Sequence, residues 1–150
     1  MQCDPCVPPD DSASGARRAV EALYARDLAA QALGIEVLDV APGNVRVAMR
    51  VRSDMLNGHG ICHGGFQFTL ADTAFAYACN ALGEAMVAAG AGIEFLAPVA
   101  NGERLIATAS ETSRTARQGI YDVVITNSSG ESVAHFRGRC ARLRLPSSSP

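Results

Sequence analysis

The segment FQFTLADTAFAYACNAL, residues 66–82, limits what this chain can fold into more than any other stretch. Its length and its Ala, Leu and Phe content favour a helix, running from about Gly64 to Leu82, over a strand. Apolar side chains occupy nearly every face of that helix, with no polar stripe to turn toward water. A helix of this kind has to be enclosed by other elements. One carboxylate interrupts it, Asp72.

Elements able to do the enclosing lie on both sides. Upstream, ARRAVEALYARDLAAQALG reads as one helix with Gly34 as its stop. IEVLDV, the turn APGN and VRVAMRVR follow, the last setting Val45, Val47, Met49 and Val51 against Arg46, Ala48, Arg50 and Arg52. That period of two marks a half-buried hairpin. Beyond Gly83 come four strand-like segments, AMVAAGAGIEFLAPV, ERLIATASETSR, GIYDVVITN and ESVAHFRGRCARLRL, punctuated by ANGE, TARQ and SSG. Two helices and about six antiparallel strands pack naturally as a sheet wrapped around the buried helix. This α+β order is the hotdog layout. Residues 17–145 are expected to form a single domain, flanked by a disordered leader at 1–16 and a disordered tail at 146–150.

Charge and cysteine usage narrow the function. The formal net charge is −2, so no basic field argues for nucleic acid or anionic lipid. All thirteen basic residues are arginine, which removes phosphate-loop NTPases, Schiff-base enzymes and lysine-dependent kinases. Five scattered cysteines with no signal peptide read as reduced thiols of a cytoplasmic protein. Cys3 and Cys6 are spaced C-x-x-C, but no second pair or histidine follows at zinc-ligand spacing, so no metal is expected. No apolar run is long and uninterrupted enough to suggest a membrane span.

The loop NGHGICHGGF, residues 57–66, delivers the chain into the buried helix. A helix N-terminus offers unpaired N–H groups and a positive dipole end, suited to a growing negative charge. Gly64 and Gly65 lack a Cβ there, so either a substrate carbonyl can approach closely or the helix can pack tightly. Asp72 is either a catalytic carboxylate or a buried one held by hydrogen bonds from a neighbouring element. His63 can cap the helix or meet the substrate, and Asn57 can hold an Asn-Gly turn or orient the reacting groups.

The stretch MLNGHGICHGGFQFTLADTAFAYACN resembles the segment shared by phenylacetate-degradation thioesterases of the PaaI type, which are hotdog enzymes acting on acyl-coenzyme A. Weaker similarity runs from about Asp27 to Arg142 and includes GIEFLAP, GIYDVVITN and VAHFRGR. The resemblance implies that Asn57, His63, Gly64 and Asp72 occupy active-site positions. It also implies aryl-acetyl thioester substrates such as (hydroxy)phenylacetyl-CoA, no metal or other cofactor, and homodimers paired into homotetramers. Hydratases and dehydratases of acyl thioesters share this fold, as do non-catalytic acyl-CoA-binding proteins, but the match to the thioesterase segment is much closer. Rings that the helix carries near Asp72 offer an aryl-acetyl group something to stack on.

Coenzyme A brings phosphates, for which Arg114 and Arg117 at a turn, and Arg137 and Arg139 two apart on a strand, are candidate contacts. Spacing adds a constraint on assembly. Gly64 and Asp72 are eight positions apart, roughly 12 Å along a continuous helix. One carbonyl cannot touch both, so two residues acting on one thioester would have to come from two subunits.

Overall fold

The computed structural model describes residues 11–143. The chain runs through α1 (Asp11–Tyr24), α2 (Leu28–Ala32), β1 (Glu36–Ala41), β2 (Asn44–Arg50), a 3-10 turn at Ser53–Met55, and α3 (Gly64–Asn80). It then crosses β3 (Met86–Phe95), β4 (Arg104–Arg114), β5 (Gln118–Thr126) and β6 (Ser132–Arg142). The strands form one sheet in the order β1-β2-β4-β5-β6-β3, every pairing antiparallel. This is the hotdog arrangement, with α3 as its filling.

Enclosure of α3 is close to complete. It packs on β2, β3, β4, β5 and β6 and is covered by α1. Leu70, Ala71, Ala74, Phe75, Tyr77 and Ala78 are fully buried. Close approach depends on one glycine: a Cβ at Gly138 of β6 would lie 2.9 Å from the Phe75 and Phe136 rings. The ring of Phe75 occupies the space that any larger residue would take, and it stands edge-on to Tyr121 across the core.

Three local features depart from expectation. The first helical segment is two helices, because Asp27 leaves helical geometry (φ −86°, ψ 82°) and its carboxylate accepts from the Ala30 N–H. Asp is a strong N-cap, and here the cap overrides the helix propensity of its Ala, Leu and Arg neighbours. Secondly, α1 begins at Asp11, inside the segment 1–16 expected to be disordered. An acidic first turn suits the helix dipole, and Ala16 and Val20 bury against the core. Residues 1–10, with Cys3 and Cys6, and the tail at 146–150 lie outside the described residues. Thirdly, Ala48 is buried although it alternates with Arg46 and Arg50, because Glu36 and Ile106 flank it on the adjoining strands.

The two sheet edges differ. On β1 the Arg17 guanidinium donates to the Leu38 carbonyl, and the register slips between Val37 and Asp39, so this edge is partly covered. The other edge is β3, whose residues beyond Met86 are almost all exposed. Val87 is 45% exposed, and Phe95 and Leu96 are 52% and 55% exposed. A long bare edge of this kind is a template for pairing with another strand.

Candidate active site

The entry to α3 is built by its loop. Asn57 holds the turn: its N–H donates to the Ile61 carbonyl at 2.8 Å, and its Oδ1 accepts from the His59 N–H at 2.9 Å. Its side-chain NH2 makes no hydrogen bond among the described residues. His63, whose N–H donates to the Met55 carbonyl, is the N-cap of α3, its Nδ1 accepting from the Gly65 N–H at 3.0 Å. The imidazole therefore caps, although capping by histidine is uncommon. In the neutral ring this leaves the proton on Nε2, which is free to donate elsewhere.

Capping by His63 uses up the Gly65 N–H and leaves that of Gly64 with no acceptor among the described residues. The missing Cβ atoms make room for rings of the same chain. A Cβ at Gly64 would sit 2.7 Å from the Phe95 ring, and one at Gly65 would sit 3.2 Å from His63 Nδ1. Beside Gly64 opens a cavity of about 420 Å³, lined by Asn57, Ile61, Gln67, Phe95, Leu96 and Pro98 among others. Asn57, His63 and Gly64 thus meet at one end of α3. Gln67 and Phe95 join them unforeseen.

Asp72 faces a different cavity, of about 460 Å³, with Leu23, Arg26, Asp27, Tyr77 and the Met86–Val87–Ala88 segment around it. It is half-buried rather than enclosed, and its carboxylate makes no hydrogen bond among the described residues. Burial lifts its pKa above the ordinary carboxylate value, and the charge of nearby Asp27 lifts it further. Asp27 is itself fully engaged, since its second oxygen accepts from the buried Tyr77 hydroxyl at 2.8 Å. Within one chain, neither Asn57 nor Gly64 shares a cavity with Asp72.

The remaining candidates separate. Phe75 and Tyr77, the helix rings expected to stack on substrate, are wholly buried, and Phe68 packs edge-on to Phe136. Phe95, on β3, is the exposed ring at the cavity. Arg114 pairs with Glu84 at 2.8 Å, and Arg137 makes two bonds to Asp122 at 2.6 and 2.7 Å. Both guanidinium groups already have carboxylate partners. Arg139 donates to the Ala89 carbonyl. Arg117 makes no side-chain hydrogen bond among the described residues and, with Arg142, borders a basic recess beside the β4–β5 turn. Among the described residues no three His, Cys, Asp or Glu side chains converge as metal ligands would.

Known proteins share this fold and much of this sequence. Residues 59–134 match the thioesterase superfamily. The chain is 47% identical over 122 residues to acyl-coenzyme A thioesterase PaaI of Escherichia coli K12, covering 81% of this chain and 87% of that protein. The solved structure of the E. coli PaaI protein from the phenylacetic acid degradation operon superposes with a TM-score of 0.88 at 43% identity, covering 89% of this chain and 97% of that one. A mutant of the phenylacetic acid degradation protein PaaI from Thermus thermophilus superposes with a TM-score of 0.75 at 41% identity, covering 78% and 100%. Fold and sequence agree, and this chain belongs to the thioesterase superfamily as a hotdog protein of the PaaI type.

Proposed function

We propose that this protein hydrolyses acyl-coenzyme A thioesters at sites each assembled from two copies of the chain. One observation carries the reading: the unfilled Gly64 N–H and the unpartnered Asp72 carboxylate border separate cavities at opposite ends of the bare edge strand β3. The Gly64 cavity includes Phe95, Leu96 and Pro98, and the Asp72 cavity includes Met86, Val87 and Ala88. Antiparallel pairing of β3 with its own copy, about a two-fold axis near Ala91, would lay each end beside the other. Two composite sites result, and the interface is isologous.

In such a site the substrate carbonyl oxygen accepts from the Gly64 N–H, helped by the positive end of α3. The partner subunit's Asp72 takes a proton from water while the water oxygen bonds to the carbonyl carbon. The tetrahedral oxyanion collapses, the C–S bond breaks, and coenzyme A leaves as thiolate to be protonated by the acid just formed or by solvent. An elevated pKa suits Asp72 to the role of base, since it binds a proton more readily than an ordinary carboxylate. His63 Nε2–H and the Asn57 amide supply donors to the carbonyl side. No metal or cofactor enters this scheme; coenzyme A is part of the substrate.

The acyl group fits an apolar cavity with an exposed aromatic wall, Phe95, which favours aryl-acetyl thioesters such as phenylacetyl-CoA. Arg117 and Arg139, which have no carboxylate partner within hydrogen-bonding distance among the described residues, are the better placed of the four arginines for coenzyme A phosphates. Two dimers then pair into a tetramer, for which half-buried Ile106, Ile120 and Val124 on the outer sheet face offer apolar contact. Three described thiols, Cys62, Cys79 and Cys140, are unpaired, as suits a reducing cytoplasm. No helix among the described residues is long and apolar enough to cross a membrane.

Mixed dimers test the shared site. Asp72→Ala and Gly64→Val are each expected to be inactive alone. Co-expressed, a hybrid has one doubly damaged site and one intact site, so random pairing restores about a quarter of all sites. Thiol release from phenylacetyl-CoA reads the recovery. Verified hybrids with no activity would refute the composite site.

A further inference from the structure

Two half-buried carboxylates, Asp27 and Asp72, border the cavity of about 460 Å³ beside the C-terminal half of α3. Asp27 is held at both oxygens, one accepting from the Ala30 N–H at 3.0 Å and the other from the Tyr77 hydroxyl at 2.8 Å. Asp72 is held at neither. Every side chain around the cavity that can donate already does so elsewhere. Tyr77 gives its hydroxyl proton to Asp27, Asn80 bonds the Ala76 and Met86 carbonyls, and the Cys79 thiol faces the Ala76 carbonyl. Arg26 turns its Nε back to the Ala22 carbonyl and makes no ion pair among the described residues.

The charged and titratable groups around Asp72 are thus Arg26 and Asp27 from the turn between α1 and α2, and Tyr77 and Cys79 from α3; β3 adds only Met86, Val87 and Ala88. Asp27 is the second negative charge in this wall, and two hydrogen bonds from separate elements stop it from swinging out. A fixed like charge makes a neighbouring carboxylate take up a proton more readily, as burial does. We propose that Asp27 is a positioning residue for the reaction: it draws the Tyr77 hydroxyl to itself and sets a fixed negative charge in the wall of the Asp72 cavity, so that Asp72 meets water as a bare and strengthened base. This rests on the thioesterase reading above and adds to it the residue that prepares its base. Asp27 touches no reacting atom and acts only through Asp72.

The test uses Asp27→Asn, which removes the charge and keeps the shape, and Tyr77→Phe, which removes one hydrogen bond and keeps the charge. Two readouts are taken on the full chain: the pH profile of kcat with phenylacetyl-CoA, and the titration of the Asp72 carboxyl carbon by NMR, assigned by its absence from Asp72→Asn. In Asp27→Asn both the acid limb and the Asp72 titration should move to lower pH. Plateau kcat should fall by less than about tenfold, against the roughly 10²–10⁴-fold expected when the base itself is lost, with KM little changed. In Tyr77→Phe the limb should stay with wild type. A merely structural role for Asp27 would lower kcat at every pH and leave limb and titration in place, which would overturn the proposal. A limb that moves as far in Tyr77→Phe as in Asp27→Asn would overturn it too, by assigning the effect to the bond rather than the charge. Wild type that releases no thiol from phenylacetyl-CoA would sink the thioesterase reading instead, and the NMR titration would still decide whether Asp27 acts on Asp72.

Discussion

A charged residue in a surrounding of hydrocarbon is legible from sequence because its cost is large, and Asp72 stands out for that reason. Gln67 interrupts the same apolar helix, yet an uncharged amide raises less alarm. Its oxygen is left bare by packing, which only coordinates reveal. Phe95 against Gly64 could not be foreseen either, because the contact depends on where β3 lies. The electrostatics of Asp72 make two predictions. First, Asp72→Asn should lower kcat by about 10²–10⁴-fold, with substrate binding retained. Secondly, since burial and the Asp27 charge hold its pKa above 3.8, the folded chain binds that proton more tightly than the unfolded chain. The associated stability is complete below pH 3.8 and is lost as pH rises through the folded value. Melting curves should therefore show Asp72→Asn nearest to wild type in acid and more stable at pH 7. A variant less stable than wild type at neutral pH would contradict that environment.

Among the elements, the central helix and all six strands follow from periodicity and turn residues, since enclosure and alternation leave local marks. Their order in space does not. Nothing in AMVAAGAGIEF says that β3 skips past β4 and β5 to pair with β6, because that choice is settled by nonlocal pairing. The break between α1 and α2 is readable in principle, as Asp27 stands three residues before Ala30, the usual reach of an N-cap. It is masked by strong helix formers on both sides. Asp27 joins three elements, capping α2 and accepting from Tyr77 of α3 beneath α1. Asp27→Ala should thus cost about 2–4 kcal/mol in urea unfolding, the sum of a lost cap and a stranded buried hydroxyl. Asp27→Asn keeps one acceptor for the cap, and its NH2 can donate to the Tyr77 hydroxyl oxygen instead, so it should cost less. It also removes a negative charge near Asp72, so the acid limb of the pH–rate profile should move to lower pH. An unmoved limb would mean that Asp27 does not act on Asp72.

At the scale of the molecule, the proposed composite site gives one chain two half-sites and no whole one. Sedimentation equilibrium should return an active species of two or four times 15.6 kDa, with no activity at the monomer mass. An active monomer would refute the pairing through β3. If Gly64 and Asp72 of one helix serve two reaction centres, a genetic consequence follows. A cell with one intact allele and one lacking Asp72 would lose the carboxylate from half of its sites, and its activity would fall by half, in simple proportion to gene dose. If one allele carried both lesions in cis, every hybrid dimer would have a defect in each of its two sites. Only pairs of intact chains would work, about a quarter of the total under random assembly. The doubly damaged allele would then be partly dominant, although each lesion alone is merely additive.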